Sequence, residues 1–238
     1  KTMTKTKTTR SGRTFREASV SEIDHLTPRI CRIRFSGSTL KGMEWAPGQK
    51  IKIQANGALR SYTPARVDPK EGWMDVVFFL HGNGPASQWA SHAALGETIQ
   101  FIGPVKSVAG PEDTPDWALF LGDETAIGLA VALLEALPDS VTILGAIEVD
   151  ASDSTAVADY GLPLAAVIRT GTHGKPLLTW LNEIDLPEGH GMIWVSGEAH
   201  SAKALKQALM EREPPHVEFK MKPYWSCKGH ADRKAMKL

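Results

Sequence analysis

The sequence has 238 residues, and its 27 Lys and Arg balance its 27 Asp and Glu, so charge gives no reason to expect nucleic acid or a membrane surface as a partner. Two distant cysteines, Cys31 and Cys227, exclude a disulfide framework and a zinc pattern, and the longest apolar runs fall well short of the roughly 20 residues of a membrane span. We therefore expect a monomeric, cytoplasmic protein with either one large domain or two smaller ones.

The first half of the chain has an all-β pattern. Residues 1–14 are basic, almost without apolar side chains, and are predicted to be a mobile tail. From 15 to 107, short apolar runs alternate with Gly, Pro and Asn turns, a spacing typical of a barrel or sandwich, and we predict a β-barrel domain there. Strands are predicted at 30–35, 50–53, 74–80 and 98–101, with a helix at 86–93.

The second half changes to alternating strands and helices. Residues 108–116 carry two prolines and three acids and are the predicted linker. From 117 to 238 the pattern predicts an α/β domain with a parallel sheet of the dinucleotide-binding type. Strands are predicted at 117–121, 141–147, 165–169 and 192–195, and helices at 124–137, 177–184 and 201–212.

Two segments of the first domain carry candidate binding chemistry. In RSYTPAR (60–66), alternation would bring an aromatic ring, a hydroxyl and guanidinium groups to one cleft, which suits a planar cofactor with phosphates. In HGNGPASQWA (81–90), glycines and small residues precede a helix and would let backbone N–H groups approach a diphosphate. Taken singly, each segment is better explained by surface cations and a turn.

Five segments in order resemble the siderophore-interacting protein family of FAD-dependent ferric-siderophore reductases. They are RSYTPAR, HGNGPASQWA, GDETAIG (122–128), WVSGEAHSAKAL (194–205) and YWSCKG (224–229). The resemblance runs from about Leu26 to near the C-terminus, and the family belongs to the ferredoxin-reductase-like group. It implies a flavin-binding β-barrel followed by an NAD(P)H-binding α/β domain, with a C-terminal segment that returns towards the flavin.

The resemblance also implies the residues of a flavin site. Tyr62 would pack on the isoalloxazine and the Thr63 hydroxyl would lie near its N5, so these two are the expected catalytic residues. Arg60 and Arg66 would line the flavin with them. The diphosphate and adenosine side would be held by His81, Gly84, Pro85, Ala86, Ser87 and Trp89. The segment GPVKS at 103–107 departs from the usual GPRGS-like turn of the family, which puts one phosphate contact in doubt.

The nucleotide half has candidates at two strand ends. Acids after the strand in GDETAIG suit helix capping, and by resemblance Asp123, Glu124 and Thr125 are expected near the nicotinamide and the flavin. A second set, Ser196, Gly197 and Glu198, follows a strand, where parallel sheets bind ligands. Two interpretations are open for Arg169, His173, His200 and Lys203. They could contact a 2′-phosphate, which would favour NADPH over NADH, or they could be ordinary surface charges.

The expected reaction is hydride transfer from NADH or NADPH to FAD, followed by single-electron transfer to a ferric siderophore, with iron arriving with the substrate. The eight histidines show no metal-binding spacing, so no resident metal is expected. Candidate cations for the siderophore are Lys50, Lys52, Lys228 and Arg233. The alternatives are a reductase with a protein or another small molecule as acceptor, and a non-catalytic flavin or siderophore carrier.

Overall fold

The structure, a computed structural model, describes residues 14–82 and 84–227. It divides into two compact units, one ending at Ala109 and the other beginning at Gly110. That boundary lies inside the stretch 108–116 that was predicted as a linker. Each unit has its own hydrophobic core.

The first unit is an antiparallel sheet with one short helix. Its strands are β1 (Arg16–Thr27), β2 (Ile30–Ser36), β3 (Lys50–Ala55), β4 (Ala58–Tyr62), β5 (Arg66–Asp68), β6 (Trp73–Phe79) and β7 (Thr98–Val105), and α1 is Pro85–Ala90. The strand order is β4-β3-β7-β1-β2-β6-β5. Among the described residues no hydrogen-bonded pair joins the end strands β4 and β5, so the described hydrogen bonds do not close this sheet into a complete barrel.

Alternation along the strands places the core of the first unit on one face of the sheet. In β2, Ile33 and Phe35 are fully buried, while Arg32 and Arg34 are only partly buried. Cys31 lies in the same core, and burial raises the pKa of its thiol to about 11. Phe78 of β6 meets Phe35 edge to face, with ring centroids 6.4 Å apart.

The opposite face of β2 and β6 carries an ion-pair network around one buried carboxylate. Asp75 is fully buried and accepts hydrogen bonds from Arg34 Nε at 2.7 Å and from Arg32 Nη1 at 3.4 Å. The Arg34 guanidinium also lies 3.9 Å from the ring centroid of Trp73. Because a buried charge is costly unless it is paired, these arginines account for Asp75 at this position.

The second unit is a parallel sheet with helices. Its strands are β8 (Trp117–Asp123), β9 (Thr142–Val149), β10 (Ala165–Ile168), β11 (Gly191–Glu198) and β12 (Val217–Trp225). Its helices are α2 (Ile127–Leu134), α3 (Ala156–Asp159), α4 (Lys175–Glu183) and α5 (Ala199–Glu211), with single 3-10 turns at Glu124–Ala126 and Ala151–Asp153. The predicted order of an all-β part followed by a parallel α/β part is confirmed.

The strand order of the second sheet creates a switch point. The order is β10-β9-β8-β11-β12, so the chain builds outwards from β8 in one direction and then continues from β11 in the other. All four strand pairs are parallel, and the carboxyl ends of β8 and β11 lie side by side. Ligands of open α/β sheets bind in the crevice outside such a pair of strand ends.

Burial in the second unit follows from the parallel sheet. Every residue of β8 and of β11 is buried, as expected for strands covered on both faces. Leu205 and Leu209 of α5 pack into the core beside Ile193 and Val195 of β11. Within 14–82 and 84–227, the helices are too short or too polar for any of them to cross a membrane.

Candidate functional site

In the first unit, the end of β4 brings together an aromatic ring and a guanidinium. Tyr62 and Arg60 lie directly opposite Ile51 and Ile53 of β3, so both project from the face of the sheet that carries the core. Arg60 is exposed, and its described hydrogen bond goes to the carbonyl oxygen of Leu59 at 3.0 Å. No carboxylate in the described chain pairs with Arg60, so its guanidinium is available to an anion.

The ring of Tyr62 continues the aromatic part of the core towards solvent. It lies 4.6 Å from the Phe78 ring, centroid to centroid, at an interplanar angle of 45°. Burial raises the pKa of Tyr62 to about 12, so its phenol is neutral at physiological pH. The next residue, Thr63, is only 6% exposed. A cofactor that reaches its hydroxyl must therefore come close to the backbone at the end of β4.

Arg66 lies on the other side of the sheet. In the pairing of β5 with β6 it stands opposite Asp75, among the arginines of the outer ion-pair network. Phe78, against which Tyr62 packs, projects from the opposite face of β6. Residues 60–66 therefore do not place both arginines on one face, and a flavin contact of Arg66 stays a prediction.

A hydrogen bond ties Gly82 to the first turn of α1. Ser87 is almost fully buried, and its hydroxyl accepts a hydrogen bond from the backbone N–H of Gly82 at 3.0 Å. Gly84 caps α1 and Pro85 occupies its first turn, while Ala86 packs into the core. A Cβ at Gly84 would lie 3.0 Å from the His81 ring, so the glycine permits the exposed histidine to fold over the turn.

Trp89 is partly buried against the core of the first unit, and its ring nitrogen already has a hydrogen-bond partner. Its indole is stacked on Phe35 at 6.1 Å and tilted against Phe78 at 5.7 Å, centroid to centroid. Its Nε1 donates to Glu97 Oε1 at 2.7 Å. The indole thus anchors α1 to the sheet, and its polar atom is already in use.

Beside Trp89 is a surface pocket that the sequence motifs did not predict. Its volume is about 490 Å³, and it is lined by Asn56, Gln88, Trp89, His92 and Glu97. The lining comes from the β3–β4 turn, from α1 and from the segment that leads to β7. No sequence motif contains these residues together, because only the fold brings the three segments to one place.

The predicted siderophore cations are distributed as follows. Lys50 and Lys52 share one face of β3, as expected, but they alternate with Ile51, the partner of Tyr62. They therefore project from the face opposite to the Tyr62 ring. Lys228 and Arg233 lie outside the described residues, as does most of the predicted tail.

In the second unit, Asp123 braces the switch point. Its buried carboxylate accepts hydrogen bonds from the backbone N–H of Thr125 at 3.0 Å and of Glu198 at 2.8 Å, and from Trp225 Nε1 at 2.9 Å. Burial raises the pKa of Asp123, although these donors offset part of that effect. One side chain thus joins the ends of β8, β11 and β12.

Glu124 is held by an arginine from another strand end. Its carboxylate pairs with Arg169, which follows β10 and also bonds Glu148 Oε1 at 2.8 Å and Asp150 Oδ1 at 3.1 Å. Burial raises the pKa of Glu124, while the hydrogen bond and charge of Arg169 act in the opposite direction. The sequence singled out Glu124 and Arg169 but not the acids at the end of β9.

The turn from β11 into α5 is fixed by a second capping carboxylate. Glu198 Oε2 accepts hydrogen bonds from the backbone N–H of His200 at 2.7 Å and of Ser201 at 2.9 Å, which caps α5. Burial would raise the pKa of Glu198, but these donors and the N–H of Cys227 outweigh it and lower the pKa. Ser196 is buried, and its hydroxyl donates to the carbonyl oxygen of Lys222 at 2.7 Å.

Gly197 is required by the close approach of Asp123. Its φ is +98°, a conformation that residues with a Cβ adopt rarely, and a Cβ there would lie 2.6 Å from the Asp123 carboxyl carbon. Ser196, Gly197 and Glu198 therefore meet the GDETAIG turn at one place. The two segments that were predicted to form the nucleotide site are adjacent in the structure.

The remaining basic candidates differ in their surroundings. His173 Nδ1 lies 3.6 Å from Glu148 Oε1, and its ring meets Trp225 edge to face at 5.1 Å. His200 Nδ1 lies 3.1 Å from Glu198 Oε1. Lys203 is exposed on α5. Across 14–82 and 84–227, no group of three or more His, Cys, Asp and Glu side chains is arranged to hold a metal ion.

Two family models match the chain. Residues 54–108 match the siderophore-interacting FAD-binding domain, and residues 115–228 match the siderophore-interacting protein model. Among curated proteins, the chain is 26% identical to the ferric vibriobactin reductase ViuB of Vibrio cholerae, over 84% of this chain and 85% of that protein. It is 25% identical to the NADPH-dependent ferric-chelate reductase of Escherichia coli, over 80% of this chain and 72% of that protein.

The fold is also similar to that of solved proteins. The crystal structure of a siderophore utilization protein from T. fusca has a TM-score of 0.77 and 27% identity, over 91% of this chain and 94% of that one. The siderophore-interacting protein from Acinetobacter baumannii has a TM-score of 0.75 at 21% identity, over 93% of this chain and 94% of that one.

Proposed function

The chain belongs to the siderophore-interacting protein family, and we propose that it is an FAD-dependent reductase that uses NADH or NADPH to reduce ferric siderophores. The observation that carries the proposal is the match of 54–108 to the family's FAD-binding domain. Within that stretch, Arg60 offers an exposed guanidinium without a described carboxylate partner, close in sequence to the half-buried ring of Tyr62.

The residues of the first unit fit the chemistry of FAD. The Tyr62 ring supplies a flat apolar surface for the isoalloxazine, and Arg60 supplies paired N–H donors for a phosphate. His81, Gly82 and the start of α1 at Gly84 to Ser87 would accompany the diphosphate. We assign the adenosine to the pocket beside α1, where Gln88 and His92 offer polar edges. FAD, when bound, takes a hydride from a nicotinamide and gives up electrons one at a time.

The protein's part in the reaction is to orient the cofactor and to exclude water. Tyr62 holds the plane of its ligand, since the ring is itself fixed against Phe78. We propose that the Thr63 hydroxyl donates a hydrogen bond to the flavin edge, at a position that is nearly closed to solvent. In the second unit, the braced turns at Asp123 and Glu198 would receive the nicotinamide half of NADH or NADPH.

The substrate would be an iron chelate, with iron as cargo. Hard oxygen ligands bind Fe(III) much more tightly than Fe(II). A single electron added to the metal therefore weakens its binding to the chelate, and Fe(II) is released. Two electrons from one nucleotide would therefore reduce two ferric chelates. Lys50 and Lys52 project away from the Tyr62 face, and Lys228 and Arg233 lie outside the described residues, so the latter two stay candidates for an anionic chelate on sequence alone.

An anaerobic turnover assay tests the proposal. Purified protein loaded with FAD is mixed with NADH or NADPH and with several ferric chelates, and Fe(II) is trapped by a coloured ligand. Bleaching of the flavin followed by formation of trapped Fe(II) is expected. Flavin that stays oxidised with both nucleotides would indicate a non-catalytic carrier. Flavin that is reduced but leaves every chelate ferric would indicate a different acceptor, such as a protein.

A further inference from the structure

Resting on the proposed function, we propose that Arg169 is a positioning residue for the nucleotide half of the site and does not read a 2′-phosphate. An arginine at the end of a strand in a nucleotide-binding sheet is the group that would be expected to accept the extra phosphate of NADPH. The surroundings of Arg169 assign it a different task.

The guanidinium of Arg169 has almost no donor left for a ligand. Nε donates to Glu148 Oε1 at 2.8 Å. Nη1 donates to Glu124 Oε1 at 3.0 Å and to Asp150 Oδ1 at 3.1 Å, and Nη2 donates to Glu124 Oε2. A guanidinium has five N–H donors, so carboxylates already occupy four of them. A phosphate fork needs two parallel donors.

Charge and burial lead to the same conclusion. One arginine faces three carboxylates, so an added phosphate would meet an excess of negative charge. The side chain of Arg169 is 11% exposed, and those of Glu124 and Glu148 are 2% and 1% exposed. Burial alone would lower the pKa of Arg169, but the hydrogen bonds with Glu124 and Glu148 outweigh it and raise the pKa.

The acids that Arg169 holds form part of the edge where the nucleotide would bind. Glu148 Oε2 accepts the backbone N–H of Gly174 at 2.8 Å, at the start of α4. Glu124 follows Asp123, whose carboxylate joins β8 to β11 and β12. Arg169 therefore links the ends of β8, β9 and β10 to the first turn of α4. Without it, buried carboxylates would repel one another and the turn after β8 would shift.

The inference is tested on the full-length, FAD-loaded protein with Arg169→Gln. We expect flavin reduction to slow by roughly 10- to 100-fold with NADH and with NADPH, as for a displaced binding group, while the ratio of the two rates is unchanged. Chelate reduction by the dithionite-reduced protein should keep the wild-type rate, which a general loss of structure would not allow. Arg212→Gln, at the end of α5, is the matched control and should behave as wild type.

Two results would overturn the inference. A loss confined to NADPH would mean that Arg169 does read the 2′-phosphate, and unchanged kinetics with both nucleotides would mean that it positions nothing. If Arg169→Gln does not fold, Arg169→Lys takes its place: the charge stays but the fork is lost, so a parallel slowing supports positioning and an NADPH-selective loss contradicts it. A wild-type protein that oxidises neither nucleotide would instead refute the proposed function.

Discussion

Arg60 and Arg169 are the same residue type in opposite situations. Arg60 is exposed and has no described carboxylate partner, whereas Arg169 is partly buried and pairs with three carboxylates. An unpaired guanidinium can bind an anion without breaking an existing interaction. The two arginines therefore differ in what a substitution should do, and each role is open to measurement.

Replacing Arg60 with Ala should weaken FAD binding. A hydrogen bond to a charged group contributes about 1.5–3 kcal/mol, so the dissociation constant should rise by roughly 10- to 100-fold. Flavin fluorescence titration of the apoprotein measures the change. Arg60→Lys keeps the charge but loses the paired donors of the guanidinium, so its dissociation constant for FAD should lie between those of the wild type and Arg60→Ala. An Arg60→Ala protein that purifies fully yellow would refute the phosphate assignment.

Replacing Thr63 with Ala should leave FAD bound but slow its reduction. The Tyr62 ring keeps its packing, while the hydroxyl at the flavin edge is lost. A slowing of roughly tenfold is expected, which corresponds to about 1.4 kcal/mol. Stopped-flow absorbance with NADH or NADPH measures it. Thr63→Ser retains the hydroxyl and is the control; identical rates for all three proteins would exclude the contact.

At the level of elements, the junction of β8 with β11 depends on a glycine. Gly197→Ala would force a positive φ on alanine and bring its Cβ against the Asp123 carboxylate. The free energy of unfolding should fall by at least roughly 1–2 kcal/mol. Urea denaturation measures this loss. Gly110→Ala in the same unit is the control, because no atom lies within 4 Å of the added Cβ. Equal stability of the two variants would contradict the brace.

The Glu198 cap of α5 should make a pH-dependent contribution to the free energy of unfolding. Because the pKa of Glu198 is lowered in the folded protein, its stabilising effect is present above the unfolded value near 4.5 and is lost as pH falls through the folded value. Glu198→Gln should therefore lower the free energy of unfolding by about 1 kcal/mol at pH 7 and by less below pH 4. Denaturation curves across pH 3–7 measure the difference. A difference independent of pH would rule out the charged cap.

At the level of the whole chain, FAD should protect one unit. A ligand that binds only the native state stabilises it by about 2.7 kcal/mol at a hundred times its dissociation constant. Hydrogen exchange of the full-length protein should show the largest gain in β3, β4 and α1. Strands β9 and β10 serve as the internal reference. A gain confined to the second unit would place the flavin elsewhere.

The sequence predicted strands best where many of their residues are buried, either alternately or in one run. Arg32 and Arg34 between buried residues marked β2, and the continuous apolar run of β8 marked a strand covered on both faces. The sequence did not predict β1, because only three of its twelve residues are buried. It did not predict β12 either, because none of the residues of β12 is fully buried. The hydropathy pattern of such strands does not distinguish them from loops, because they are held in the sheet by hydrogen bonds to neighbouring strands.

The site could be predicted only in part, for the same reason. GDETAIG and WVSGEAHSAKAL meet as expected, since the carboxyl ends of adjacent parallel strands share an edge. Arg66 was expected beside Tyr62, but its register with Asp75 places it on the other face. Glu148 and Asp150 were missed because nothing local distinguishes an acid at a strand end that will be paired from one that will be solvated.

The burial of Cys31 bears on how this protein would tolerate the by-products of its proposed chemistry. Released Fe(II) reacts with peroxide, and thiols are oxidised by peroxide as thiolates. With a pKa of about 11, Cys31 is almost wholly protonated at neutral pH and enclosed in the β-sheet core. Burial and the Glu198 carboxylate raise the pKa of Cys227 as well, so exposure is what distinguishes the two thiols: oxidation of cysteine should begin at Cys227 and spare Cys31.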